Sequence, residues 1–196
     1  MESGGKTAEF QGVFQAVLLI PDLAMPYPLH PAVVHFPIVL AVLLPLLTLA
    51  GVLVSRRATG NRSAWIAVAA FAVLLPLSAW GALVTGEQQE DVVEQVLSGS
   101  VLHGHEEAAE GFLAASALLA VVALLGLAPG AVGRVARISS VAAAVAVLAL
   151  GYRVGESGGA LVYTYGAASA YVDGTGAVGP DRMGGDEDDD LRRRRR

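Results

Sequence analysis

Between Ala32 and Val54 the chain carries no aspartate, glutamate, lysine or arginine, and the same holds from Ala64 to Thr85. Runs of that length match the roughly 20 apolar residues needed to cross a bilayer core. Gly111 to Ala128 makes a third uncharged run of near-minimum length, and Ile138 to Tyr152 a shorter fourth. In a chain of 196 residues that is 54% hydrophobic and 16% charged, these runs predict an all-α, polytopic integral membrane protein built as a four-transmembrane-helix bundle. The expected spans are 32–54, 64–85, 109–128 and 135–153.

What lies between the runs sets their ends. Residues 1–26 form a polar, glycine-containing lead-in, whose apolar stretch Val13–Ile20 is too short to span and reads as an interfacial helix, not a removed signal. Pro21, Pro26, Pro28 and Pro31 delay helix formation, because proline suits only the first turn, so the first span starts near Pro31. Pro45 and Pro76 fall inside spans and would each free a carbonyl, which membrane bundles tolerate. Trp65 and Trp80 stand near the two ends of the second run, where indoles favour the interface. The fourth run is flanked so closely by Arg137 and Arg153 that these must snorkel or the helix must begin earlier. Its alanines, Ala142, Ala143, Ala144, Ala146 and Ala149, suit close helix approach inside the bundle.

The stretch TGEQQEDVVEQVLSGSVLHGHEEAAE separates the second and third spans and holds carboxylates but no lysine or arginine. Thr85 with Gln88 fits a capping box, Val92, Val93, Val96 and Leu97 share a helical face, and Gly99 is a stop signal, which together predict a short amphipathic surface helix. Residues 173–196 carry DEDDD followed by five arginines and read as a disordered charged tail. The membrane domain is thus expected over 27–172.

Arg56, Arg57 and Arg62 occupy one inter-span loop and Arg134 and Arg137 another, whereas the 85–107 loop has no basic residue. The positive-inside rule puts both arginine loops in the cytoplasm and both termini outside a cell membrane. All four histidines, His30, His35, His103 and His105, then share the outer end with Glu106, Glu107 and Glu110. Each half of the chain also reads histidine pair, apolar helix, arginine loop, apolar helix, although residue-level similarity is too low to define a repeat.

Histidines at span starts can be ligands, proton carriers or interfacial side chains. His35 and His105, from the first and third helices at similar depth, are the simplest facing pair, the arrangement that axial ligation of haem b requires. His30 and His35 are about 500° apart around a helix and need not share a ligand. His103 and His105 are nearly opposite, which suggests that one belongs to the loop and one to the first turn of the third span. Together His30, His35, His103, His105 and Glu106 offer nitrogen and oxygen ligands for a transition metal. The bland counterpart is a set of interfacial histidines, with Glu106 and Glu107 complementing a helix N-terminus.

Other chemistries find little support. With no cysteine, thiolate-held iron–sulfur clusters, zinc fingers and thiol catalysis are excluded. HEXXH and Glu-X-X-His spacings are absent, the glycines form no phosphate loop, and Ser78, Ser116, Ser139 and Ser140 read as packing groups. A net charge of −5, carried by an acidic loop and tail, argues against nucleic acid as a partner.

LHPAVVHFPIVL opening the first span, TGEQQED after the second, HGHEEAAEGF entering the third and GGALVYTYG after the fourth resemble the prokaryotic membrane family catalogued as domain of unknown function 2231. The likeness covers about residues 27–172 and carries over to His30, Pro31, His35, Phe36, Pro37, Gly86, His105, Gly158, Gly159, Val162 and Tyr163 as motif positions. It implies four transmembrane helices without a settled activity. Some relatives occur with Rieske-type domains, which tilts the expectation toward electron transfer, although this chain carries no such domain itself.

The expected function is therefore a haem- or metal-binding electron-transfer component of the membrane, not a stand-alone enzyme, working with a redox partner protein and compatible with a homo-oligomer. The alternative is a subunit or sensor of pH or metal without a cofactor. GGALVYTYG, with Leu161, Tyr163 and Tyr165 alternating against Val162 and Thr164, is expected to be extended. It would either lid the histidine site or anchor its tyrosines among headgroups.

Overall fold

The computed structural model describes residues 29–55 and 62–171. The interfacial lead-in, the loop with Arg56 and Arg57, and the charged tail lie outside the described residues, as does the Arg62 side chain. Five helices run in order: α1 (His30–Val33), α2 (His35–Ser55), α3 (Arg62–Val93), α4 (Gly99–Leu125) and α5 (Gly130–Tyr163), closed by a 3-10 turn at Ala167–Tyr171. Among the described residues there is no strand, and four helices, counting α1 and α2 as one, are long and apolar enough to cross a membrane.

The α1–α2 break at Val34 follows from Pro37, which has no N–H to offer the Val33 carbonyl; the ladder resumes with Ile38 N–H on the Val34 carbonyl at 3.2 Å. The four long helices alternate in direction and close into a ring, α2 packing on α3 and α5, and α4 on α3 and α5. Most of each helix faces outward. Phe36, Leu46, Leu118, Val132 and Val135 are 61–68% exposed, as expected where lipid and not water covers the apolar surface.

The inside is narrow and made of small residues. Ala41, Ala72, Ala79, Ala123 and Ala144 are buried around the larger Leu44, Leu75 and Leu119, which are fully buried. Without a hydrophobic driving force in lipid, close backbone approach of this kind is what holds helices together. The buried hydroxyls of Thr48, Ser116 and Ser140 are satisfied within their own helices: Thr48 donates to Leu44 at 2.8 Å, Ser116 to Phe112 at 2.7 Å and Ser140 to Ala136 at 2.9 Å, each to a carbonyl.

Four expectations change. The amphipathic surface helix is not separate: α3 runs on through Thr85 to Val93, because the Thr85 hydroxyl bonds back to the carbonyls of Ala82 (2.9 Å) and Gly81 (3.1 Å) instead of capping a new start. Helix α4 then begins at Gly99, so both His103 and His105 are helical. The fourth helix starts at Gly130, whose φ of 72° suits glycine after the turn at Pro129. It also continues through GGALVY to Tyr163, so the extended reading of that segment is overturned. In an apolar setting the backbone has no other partner, and glycines do not end a helix whose hydrogen bonds would go unmet.

Candidate functional site

At one end of the bundle the starts of α1 and α4 meet the C-terminal ends of α3 and α5. His30, at the start of α1, is half-buried, and its Nδ1 lies 2.9 Å from the Ala82 carbonyl and 3.4 Å from Thr85 Oγ1. A carbonyl can only accept, so Nδ1 carries the proton and Nε2 is the bare, basic nitrogen. Gly86 makes room for the ring: a Cβ there would stand 3.3 Å from His30 Cε1.

His105, one turn and a half into α4, is held in a parallel way. Its Nδ1 is 2.9 Å from Ser157 Oγ, and the Ser157 hydroxyl donates to the Val154 carbonyl at 3.0 Å. With the hydroxyl proton spent on Val154, the oxygen accepts from His105 Nδ1–H, and again Nε2 is left basic. Gly158 provides the space, since a Cβ there would lie 3.1 Å from His105 Cε1. Among the described residues neither Nε2 has a hydrogen-bond partner.

Gln89, buried two turns beyond Ala82, ties this end together. Backbone N–H groups can only donate, so the amide oxygen faces those of Leu29 and His30, each at 3.1 Å, and the amide nitrogen donates to Tyr171 Oη at 2.9 Å. One side chain thus caps the first helix and pins the closing turn. Leu97, Leu161 and Ala167 form a small apolar cluster beside it.

The other expected site residues lie apart. His35, assigned on sequence to face His105, is exposed on the outside of the bundle, at the rim of an apolar groove of about 650 Å³ walled by Phe36, Val39, Leu74 and Leu77. The turn at Val34 lets α1 point His30 inward while α2 starts with His35 outward. His103, on the opposite face of α4 from His105, is 79% exposed and pairs with Glu106 at 3.7 Å. Glu107 and Glu110 are exposed. Among the described residues no group of three or more His, Cys, Asp or Glu converges on a metal-sized site.

Thr85, Gln89, Ser157 and Tyr171 were not singled out as site residues on sequence grounds, and Gly86 and Gly158 entered only as motif positions of the family resemblance. A usable signal did exist: a hydroxyl followed by glycine, Thr85–Gly86 and Ser157–Gly158, recurs at the end of the second helix of each half.

The opposite end carries the arginines. Trp65, which the sequence suggested for the interface, is fully buried, its Nε1 donating to the Ala123 carbonyl at 2.9 Å. Arg137 reaches back to the Gly126 carbonyl with Nε at 2.7 Å, satisfying the C-terminus of α4 from within instead of snorkelling.

No curated protein and no solved structure matches the chain. Residues 26–170 match the model of a family described as predicted membrane protein (DUF2231).

Proposed function

Since the chain belongs to that DUF2231 family of membrane proteins, we propose that it is a membrane electron-transfer component that holds a redox metal centre through Nε2 of His30 and His105. One observation carries this reading. Both rings are fixed by donation from Nδ1–H to a protein acceptor, which orients an imidazole and raises the basicity of its other nitrogen, as metal-ligating histidines require.

Two imidazoles are too few for a bare four-coordinate ion, but they suffice for haem b, whose macrocycle supplies the other four nitrogens. The chemistry such a group brings is one-electron transfer; the protein's part is to present two neutral imidazoles in a fixed tautomer, with water limited by Gln89 and the closing turn. The distribution of arginines supports an orientation with the histidine end outside and Arg134 and Arg137 in the cytoplasm.

Protein purified in detergent, with hemin supplied during expression, is expected to show a Soret band and one iron per chain. Replacing His30 or His105 by alanine should remove both. Colourless, iron-free protein would overturn the reading in favour of a subunit or sensor whose histidines titrate without a cofactor.

A further inference from the structure

The two histidine units are built alike to a degree that reaches through the whole bundle. Five of the six buried residues of α2 have a buried counterpart at one constant sequence offset in and just after α4: Pro37 with Phe112, Ala41 with Ser116, Leu44 with Leu119, Thr48 with Ala123 and Gly51 with Gly126. His30 and His105 obey the same offset. The second helices of each half follow with their own constant offset, which pairs Ala72 with Ala144, Leu75 with Val147, Thr85 with Ser157 and Gly86 with Gly158.

The packing agrees with this register. In the closed ring, exchanging α2 with α4 and α3 with α5 turns every contact among the four long helices into another that exists. Both hairpins start at the same end, so the operation relating them is a half-turn about the long axis of the bundle, parallel to the membrane normal. Hydrogen bonding repeats as well. Thr85 and Ser157 each donate to the carbonyl three residues back, Ala82 and Val154, and each stands against the Nδ1 of the histidine from its own hairpin. His30 takes the carbonyl directly with the hydroxyl at 3.4 Å, whereas His105 takes the hydroxyl at 2.9 Å.

We infer that the protein is an internally duplicated helical hairpin, and that His30–Thr85–Gly86 and His105–Ser157–Gly158 are the two halves of one site, which takes a single metal-centred ligand on the pseudo-two-fold axis. Thr85 and Ser157 are its positioning residues. Nature of the ligand rests on the reading above, but the duplicated site does not. A pairwise site of this kind explains why Gly86 and Gly158 both stand beneath a histidine ring.

The test follows both the rings and a ligand, hemin, in the full-length protein. In the parent protein, nitrogen NMR of labelled histidine should report the Nδ1–H tautomer for His30 and His105, and titration should reach one hemin per chain. Ser157→Ala should shift the His105 tautomer equilibrium, speed its carbethoxylation as read residue by residue by mass spectrometry, and weaken hemin binding about 10- to 100-fold. Thr85→Val should act in the same direction on His30 but less, since the Ala82 carbonyl stays. Ser157→Thr and Thr85→Ser, each of which makes one half resemble the other, should restore parental behaviour.

If hemin does not bind while each ring answers to its own hydroxyl, the redox reading fails and the duplicated site stands. Unlike tautomers at His30 and His105, indifference of His105 to Ser157→Ala, or two hemins per chain would overturn the duplicated site.

Discussion

The guanidinium of Arg137 lies 5.5 Å above the ring of Trp65, and the two residues occupy equivalent positions in the two halves of the chain. This contact is the counterpart, at the arginine end, of the histidine pair at the other. Cation–π attraction adds to two hydrogen bonds, indole to Ala123 and guanidinium to Gly126, all converging on the last turn of α4.

Trp65 should therefore be the most costly side chain to remove. Trp65→Ala is expected to lower stability by about 3–5 kcal/mol through the cavity it leaves, and Trp65→Phe by about 1 kcal/mol through the lost hydrogen bond. Unfolding in mixed micelles with rising denaturing detergent measures both. Equal effects of the two variants would contradict the role given to the indole N–H.

Glycine substitutions should sort by what a Cβ meets. At Gly126 it would overlap the Trp65 indole and at Gly51 it would stand 2.9 Å from Val68 Cγ2, whereas nothing lies within 4 Å at Gly81. Gly126→Ala and Gly51→Ala should each cost about 1–3 kcal/mol through overpacking, the former more, while Gly81→Ala should be neutral or slightly stabilising. The same unfolding assay separates them.

Among the histidines, inward and outward positions should behave differently. His35→Ala and His103→Ala are expected to leave bound metal and hemin unchanged, because both side chains are exposed away from the pair, while His30→Ala and His105→Ala abolish binding. Loss of binding in His35→Ala alone would return the site to the lipid-facing groove.

The closing turn should depend on Tyr171 and not on Tyr163, which is 90% exposed. Tyr171→Phe removes the bond to Gln89, worth about 1 kcal/mol, and should accelerate amide exchange over residues 167–171 several-fold. Tyr163→Ala should leave exchange there unchanged. No change in exchange with either substitution would leave the tyrosines as headgroup anchors only.

Orientation is open to a direct measurement in this cysteine-free chain. Gln95→Cys, in the exposed turn between α3 and α4, should react with an impermeant maleimide in intact cells, and Asn61→Cys only after lysis. Labelling of Asn61→Cys alone would put the histidine end in the cytoplasm.

Hydropathy alone determined that this chain has four membrane-crossing helices, because crossing a bilayer is a property of length and composition that needs no knowledge of partners. The same local information gathered the four histidines to one end. It misjudged GGALVY and the Thr85 capping box, since both signals describe what a segment does in water, where backbone groups have an alternative to the helix. Which histidines matter was decided by tertiary structure. Whether His30 or His35 turns inward depends on a single break at Val34, and what the inward ring meets, Ala82 and Thr85, lies more than fifty residues away in the chain. The likeness of the two halves showed in the sequence only as a shared order of elements, because lipid-facing positions accept any apolar side chain and blur the residue-level match. Only the packed positions, which had to fit the same neighbours twice, kept the register.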